Sequence, residues 1–197
     1  MNDNLTTLLD KIKQLEKEMV TEVRKGQEKF GYEIEDRKVH FTAAVRKRHR
    51  QLKKSLFRYL KESNILSMIT APVIWSCVIP VAFLDVVAEI YQFICFPIYG
   101  IPKVRRRDYI VIDRHHLRYL NTMEKFNCAY CGYVNGLLAY VQEIAGRTEQ
   151  YWCPIKHAMS LKTRHSRYSN FLDYGDAEQY RKRLEEVRRE FNDLKKS

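Results

Sequence analysis

Apolar and polar residues follow three different rhythms along the chain. Between Leu5 and Met19 the apolar positions Leu5, Leu8, Ile12, Leu15 and Met19 fall at steps of three and four with charges between them, which predicts an amphipathic helix. Gly26 and Gly31 interrupt that rhythm. Tyr32, Ile34, Val39 and Phe41 then alternate about a polar turn at Asp36-Arg37-Lys38, which predicts a short β-hairpin. From Thr42 to about Ser63 helical spacing returns, with Val45, Leu52, Leu56, Tyr59 and Leu60 on one side. From Ile65 to Ile101 alternation stops. The stretch contains no Lys or Arg, and its only charges are Asp85 and Glu89.

The uncharged run Ile65 to Leu84 is long enough to cross a bilayer core as a helix. A single crossing would put basic clusters on both sides of the membrane, against the positive-inside tendency, and would strand the apolar segment Val86 to Ile101. A membrane-embedded hairpin turning near Pro80 to Asp85 keeps both clusters on one side. Its arms of about 16 residues would reach about 24 Å, short of the roughly 30 Å core, so the hairpin either dips in without crossing or thins the bilayer. Pro72, Pro80 and Pro97 would kink the arms. A helical hairpin buried in a soluble core is the competing expectation.

Beyond the apolar stretch, Tyr109 to Ile112 reads as a short strand. Asp113 would cap a helix from Arg114 to about Lys125, and a further helix fits Asn135 to Thr148. Residues 160–175 read as a loop. Asp176 would cap a final helix with Tyr180, Leu184, Val187, Phe191 and Leu194 on one face. The expected fold class is mainly α, a helical membrane-embedded hairpin with a small cytosolic Cys/His metal-stabilised helical module and a short β-hairpin. The segments are 1–25 (amphipathic helix), 26–63 (β-hairpin and basic interfacial helix), 64–102 (membrane hairpin), 103–160 (metal-binding module) and 161–197 (loop and C-terminal amphipathic helix). The terminal helices could pair with each other, with a second copy or with a partner protein.

Charge sharpens this picture. The net charge of +11 is concentrated beside the apolar stretch. Arg46, Lys47, Arg48, Arg50, Lys53 and Lys54 precede it, and Lys103, Arg105, Arg106 and Arg107 follow it. That placement favours anionic lipid headgroups, at roughly 1 kcal/mol for each nearby cation; a nucleic-acid backbone is the weaker alternative. The N-terminal residues are charged and amphipathic, unlike a secretory signal. Five cysteines without such a signal argue against a disulfide framework and for a reducing, cytosolic setting.

Cys128 and Cys131 form a Cys-x2-Cys pair, and 21 residues later Cys153 and His157 form Cys-x3-His. Three thiolates and an imidazole are the ligand set of a tetrahedral structural zinc site. The interval fits one helix and its return, which would bring the two halves together. Iron or an iron–sulfur centre is the alternative cofactor, and reduced structural cysteines the simpler one. Four ligands would close a zinc site to catalysis. An enzyme, metal-dependent and including redox chemistry, would need Asp85, Glu89, His115 or His116 as catalytic groups; a simpler role for the two acids is pairing with an arginine from outside the stretch. Seven glycines and no nucleotide loop argue against a phosphate-cradling enzyme.

Three segments resemble an uncharacterised family of bacterial proteins: IYGIPKVRRRDYIVIDRHHL at 98–117, CAYCGYVNGLLAY at 128–140 and TEQYWCPIKHA at 148–158. The resemblance covers about residues 30–158. It implies a bacterial cytosolic or inner-membrane setting and supplies no catalytic residues. The expectation from sequence is a metal-binding, membrane-associated binding or scaffold protein on the cytosolic face of a bacterial inner membrane. The rivals are a metal-dependent membrane enzyme and a soluble nucleic-acid-binding zinc protein in the cytoplasm.

Overall fold

The computed structural model describes residues 3–36 and 38–196. It is mainly helical with one two-stranded antiparallel sheet. The chain divides into two units, Met1–Glu62 with Asp113–Phe126, and Ser63–Ile112 with Asn127–Ser197.

In the first unit, α1 spans Asp3–Phe30 and continues through Gly26, where a break was expected. One glycine costs a long helix only about 1 kcal/mol. The stop comes at Gly31, whose φ of +60° suits a residue without Cβ. Leu5, Leu8 and Ile12 of the expected stripe lie outside the side chains described; Leu15 and Met19 are exposed. Strands β1 (Tyr32–Glu35) and β2 (Lys38–Phe41) form the expected hairpin, Tyr32 opposite Phe41 and Ile34 opposite Val39, but Lys38 of the expected turn is already in β2, opposite Glu35. Of the turn residues, Arg37 lies outside the described residues. The single basic helix expected over 42–63 is two, α2 (Ala43–Gln51) and α3 (Leu56–Glu62). The Ser55 hydroxyl accepts from the Arg58 N–H at 3.3 Å and starts the second helix afresh.

The second unit holds the apolar stretch. It forms α4 (Ile65–Ser76) and α5 (Val78–Tyr99), separated only by Cys77 in helical conformation. The turn expected at Pro80 to Asp85 is therefore absent, because those residues lie within α5. Pro80 acts upstream instead. Its missing N–H removes the bond to the Ser76 carbonyl and its ring crowds that carbonyl, so the interruption falls before the proline. Helix α5 ends where Gly100 adopts φ +68°. The Ile101 N–H donates to the Phe96 carbonyl at 2.9 Å and the Gly100 N–H to Pro97 at 3.3 Å, while Phe96 and Ile101 are both buried. This is a Schellman ending with its apolar contact.

Helix α6 runs unbroken over Thr122–Trp152. The helices expected at 114–125 and 135–148 are thus a three-residue 3-10 turn, Arg114–His116, and part of one long helix. The start signal is a capping box. Asn121 Oδ1 accepts from the Glu124 N–H (2.9 Å), and Glu124 Oε2 accepts from the Asn121 N–H (2.8 Å). In the second unit α6 runs in the same direction as α4 and α5. Trp75 bonds Asn127, Asp85 bonds Tyr133, Glu89 bonds Tyr140, Tyr91 bonds Thr148 and Tyr99 stacks on Tyr151.

The connection after Gly100 runs back along these helices. Val104 meets Gln92, Arg106 meets Asp85, and the backbone at Tyr109–Val111 crosses α6 at Gly136 and Gly132. The expected strand at Tyr109–Ile112 is unpaired backbone for that reason: it packs on a helix and has no neighbouring strand. A Cβ on Gly136 would stand 2.7 Å from the Tyr109 carbonyl oxygen and 2.9 Å from Ile110 Cα. Gly136→Ala is therefore expected to cost about 1–3 kcal/mol. Gly26→Ala, with nothing within 4 Å of the added carbon, is expected to stabilise by about 0.5–1 kcal/mol. Urea denaturation of the two variants should move in opposite directions.

The core combines Ala88 and Phe96 of α5, Leu137, Tyr140 and Ile144 of α6, Ile101 and Val104 of the return segment, and Phe191. Helix α7 (Ala177–Val187) starts as expected at Asp176, whose carboxylate accepts from the Gln179 N–H at 2.9 Å. It ends before Phe191, earlier than its apolar spacing suggests. Gln150 Nε2 donates to the Val187 and Glu190 carbonyls at 2.8 and 2.9 Å, which secures the chain after the helix.

Candidate functional site

Helix α5 presents two unlike faces. Asp85, Ala88, Gln92 and Phe96, at steps of three and four, are buried. The opposite side carries Ile79, Phe83, Val86, Ile90, Phe93, Ile94 and Ile98, all exposed, with Phe83 at 71 % and Phe93 at 70 %. Ile65, Leu66, Ile69, Val73 and Ile74 continue the apolar exposure along α4. Taken together, Ile65–Tyr99 is long and apolar enough to cross a membrane as a helix, and little of it is buried. The soluble-core expectation fails on this point: the stretch is not enclosed by the protein. Lys103 places its ammonium 4.4 Å from the centre of the Phe93 ring, beside this surface.

The buried face explains the two acids. Arg106 donates to both oxygens of Asp85, at 3.1 and 2.6 Å, and Tyr133 donates to Asp85 Oδ2 at 2.9 Å. Tyr140 donates to Glu89 Oε1 at 2.8 Å. Gln92 donates to Glu89 Oε2 at 3.3 Å, accepts from the Val104 N–H at 3.0 Å and contacts the Tyr140 hydroxyl. Burial, and then the bond to Glu89, hold the Tyr140 phenol well above its ordinary range. The hydrogen bond to Asp85 raises the Arg106 guanidinium further. These groups form a satisfied polar seam joining α5, α6 and the return segment. Asp85 and Glu89 are thus structural partners, as the simpler expectation had it for Asp85.

Arg106, one of the cations expected to meet lipid, turns its guanidinium onto Asp85. Arg105 pairs with Asp108 at 2.9 Å. Lys54 pairs with Glu62 at 2.7 Å. Arg46, Lys47, Arg48 and Arg50 lie on α2 and Lys53 just after it, and Lys103 and Arg107 lie on the return segment.

The four expected zinc ligands are not brought together. Cys128 and Cys131 sit one turn apart on α6, Cys153 follows its last residue, and His157 lies four residues further on. The interval expected to be a helix and its return is continuous helix, which sets the two pairs roughly 30 Å apart. Among the described residues no three His, Cys, Asp or Glu side chains converge as a metal site requires. The residues do not fit a single four-ligand zinc or iron centre within one chain. The His157 ring lies parallel to the Tyr168 ring, and its backbone N–H donates to the Tyr168 hydroxyl at 2.8 Å.

His115 and His116 lie in the 3-10 turn with ring centres 3.9 Å apart. They belong to the first unit, Asp85 and Glu89 to the second. Burial, and next the charge of His115, push the His116 imidazole below its ordinary value.

Sequence reasoning did not single out Gln92, Tyr133 or Tyr140. The available signal was the seven-residue spacing of the tyrosines, which puts them on one helix face opposite acids spaced by four. It also passed over Arg167, which is buried and donates to Gln150, Asp193 and the Glu190 carbonyl. Comparison with protein families, curated proteins and solved structures finds no match for this chain.

Proposed function

We propose that this protein is a membrane-associated binding or scaffold protein that lays the exposed face of α4 and α5 into one leaflet. The observation that carries the reading is the continuous row of large apolar side chains from Ile65 to Ile98 left open to solvent, backed by a hydrogen-bonded polar seam. An exposed apolar surface of this extent marks an interaction site. Helix α5, with one apolar face open and the other packed on α6 and the return segment, suits the plane of the interface better than a crossing. Lys103 beside Phe93 supplies a cation at the edge of that face for anionic headgroups. The cytosolic side is the one that such basic flanks favour.

Flotation with phosphatidylcholine and phosphatidylglycerol vesicles tests this. The protein is expected to float at low salt. Phe83→Asp/Phe93→Asp is expected to lower the membrane binding constant about a hundredfold or more, since each phenylalanine contributes about 1.5–3 kcal/mol when buried. Its melting should stay close to wild type because both side chains are exposed. Equal flotation of the two proteins, or a detergent-free oligomer that ignores vesicles, would sink the reading.

A further inference from the structure

Six basic side chains converge on one cavity in the first unit. Arg50 lies near the end of α2, Lys53 follows it, His115 and His116 come from the 3-10 turn, Arg118 from the loop after it, and Lys125 from the first turn of α6. They line about 340 Å³ with no acid among them. Within the described residues none of the six makes an ion pair. Four permanent cations held around one concavity repel each other, and such a grouping costs stability unless an anion offsets it.

We infer that this cavity binds a phosphate monoester, carried either by a lipid headgroup or by a small soluble molecule. Two arginines offer planar forks that match paired phosphate oxygens, and two lysines add point charges. The neighbouring imidazoles add N–H donors. His116 faces His115, His40 and Lys125, which disfavour its protonation, and Asp113, which favours it. An arriving dianion adds to the Asp113 side of that balance and lets the ring donate from both nitrogens. The volume suits one phosphorylated group, whereas a nucleic acid needs cations spread along a track. Arg50 and Lys53 thus act with His115, His116, Arg118 and Lys125 of the 113–126 segment, more specifically than a diffuse basic helix would.

Titration calorimetry of the full chain with inorganic phosphate tests the site. Binding is expected, and Lys53→Gln/Lys125→Gln is expected to weaken it about tenfold or more, as is Arg118→Gln from a different element, all with melting unchanged or raised, since each removes like charge from the cluster. Vesicles with equal charge from phosphatidic acid or phosphatidylglycerol identify the source. Preference for phosphatidic acid that free phosphate competes away, and that the variants lose, assigns a lipid monoester. Free phosphate binding without that preference assigns a soluble one. No heat with phosphate at about 10 mM, wild-type binding by the variants, or tighter capture of an oligonucleotide through the same lysines overturns the inference. Phe83→Asp/Phe93→Asp should leave phosphate binding intact, so failure here and failure of the membrane reading are separable.

Discussion

Substitution of Arg167 by methionine is expected to lower the unfolding free energy by about 3–5 kcal/mol, the cost of breaking a buried charged network by removing one partner. Arg167 is 3 % exposed. Its guanidinium donates to Gln150 Oε1 at 2.6 Å and to the Glu190 carbonyl at 2.9 Å, forks onto Asp193, and lies 5.4 Å from the centre of the Phe191 ring. Methionine fills much of the volume but leaves Gln150 Oε1 without a donor. The Glu190 carbonyl keeps the Gln150 amide, and Asp193, 56 % exposed, can turn to water. These two compensations put the expected loss at the lower end of the range.

Acid titration adds a second readout for the same residue. The Arg167 hydrogen bond is the main reason the Asp193 carboxyl sits below its ordinary value. A carboxyl depressed in the folded state contributes stability that is present above its unfolded pKa and disappears as pH falls through the folded one. The gap between wild type and Arg167→Met in urea midpoint should therefore narrow from about pH 5 to about pH 2, modestly, given the exposure of Asp193. A gap that stays constant would rule out the ion-pair share of the effect.

The second large effect concerns the polar seam. Arg106→Met is expected to cost about 2–3 kcal/mol, because Asp85 stays buried with Tyr133 as its remaining donor. The figure lies below that for a fully enclosed pair because the Arg106 side chain is 43 % exposed. Asp85→Leu should cost less, about 1 kcal/mol, since the freed guanidinium can reach water. The double variant should be more stable than Arg106→Met alone, with a coupling energy of about 1 kcal/mol or more in a double-mutant cycle. Additive losses measured in detergent would show that the two side chains do not act as a pair.

The β-hairpin at Tyr32–Phe41 and the cap at Asp176 were legible because each depends on neighbours in the chain: alternation about a polar turn, and an acid before a helical run. The apolar stretch was legible as an element, but its bend was not. Proline marks both turns and kinks, and Pro80 placed the interruption at Cys77, before itself. The cysteine spacing misled for a related reason. Two residues three apart suit a metal knuckle and also one face of a helix, and only the Asn121–Glu124 capping box upstream separates the alternatives. Tyr133, Tyr140 and Arg106 meet the α5 acids across long sequence separations, which no local pattern encodes. The basic cavity was half legible: Arg50 and Lys53 stood out as cations, but their meeting with His115 and His116 depends on how residues 113–126 fold into the first unit.

The parallel course of α5 and α6 also sets an order of events on the ribosome. An antiparallel pair can zip from its turn as soon as the second helix emerges. Here the earliest residues of α6 in the second unit partner the end of α4, Asn127 with Trp75, and Tyr140 reaches Glu89 only after the whole return segment has been made. Residues 65–99 therefore leave the exit tunnel well ahead of α6, and the return segment, with Val104 on Gln92 and Arg106 on Asp85, covers part of their buried face before α6 arrives.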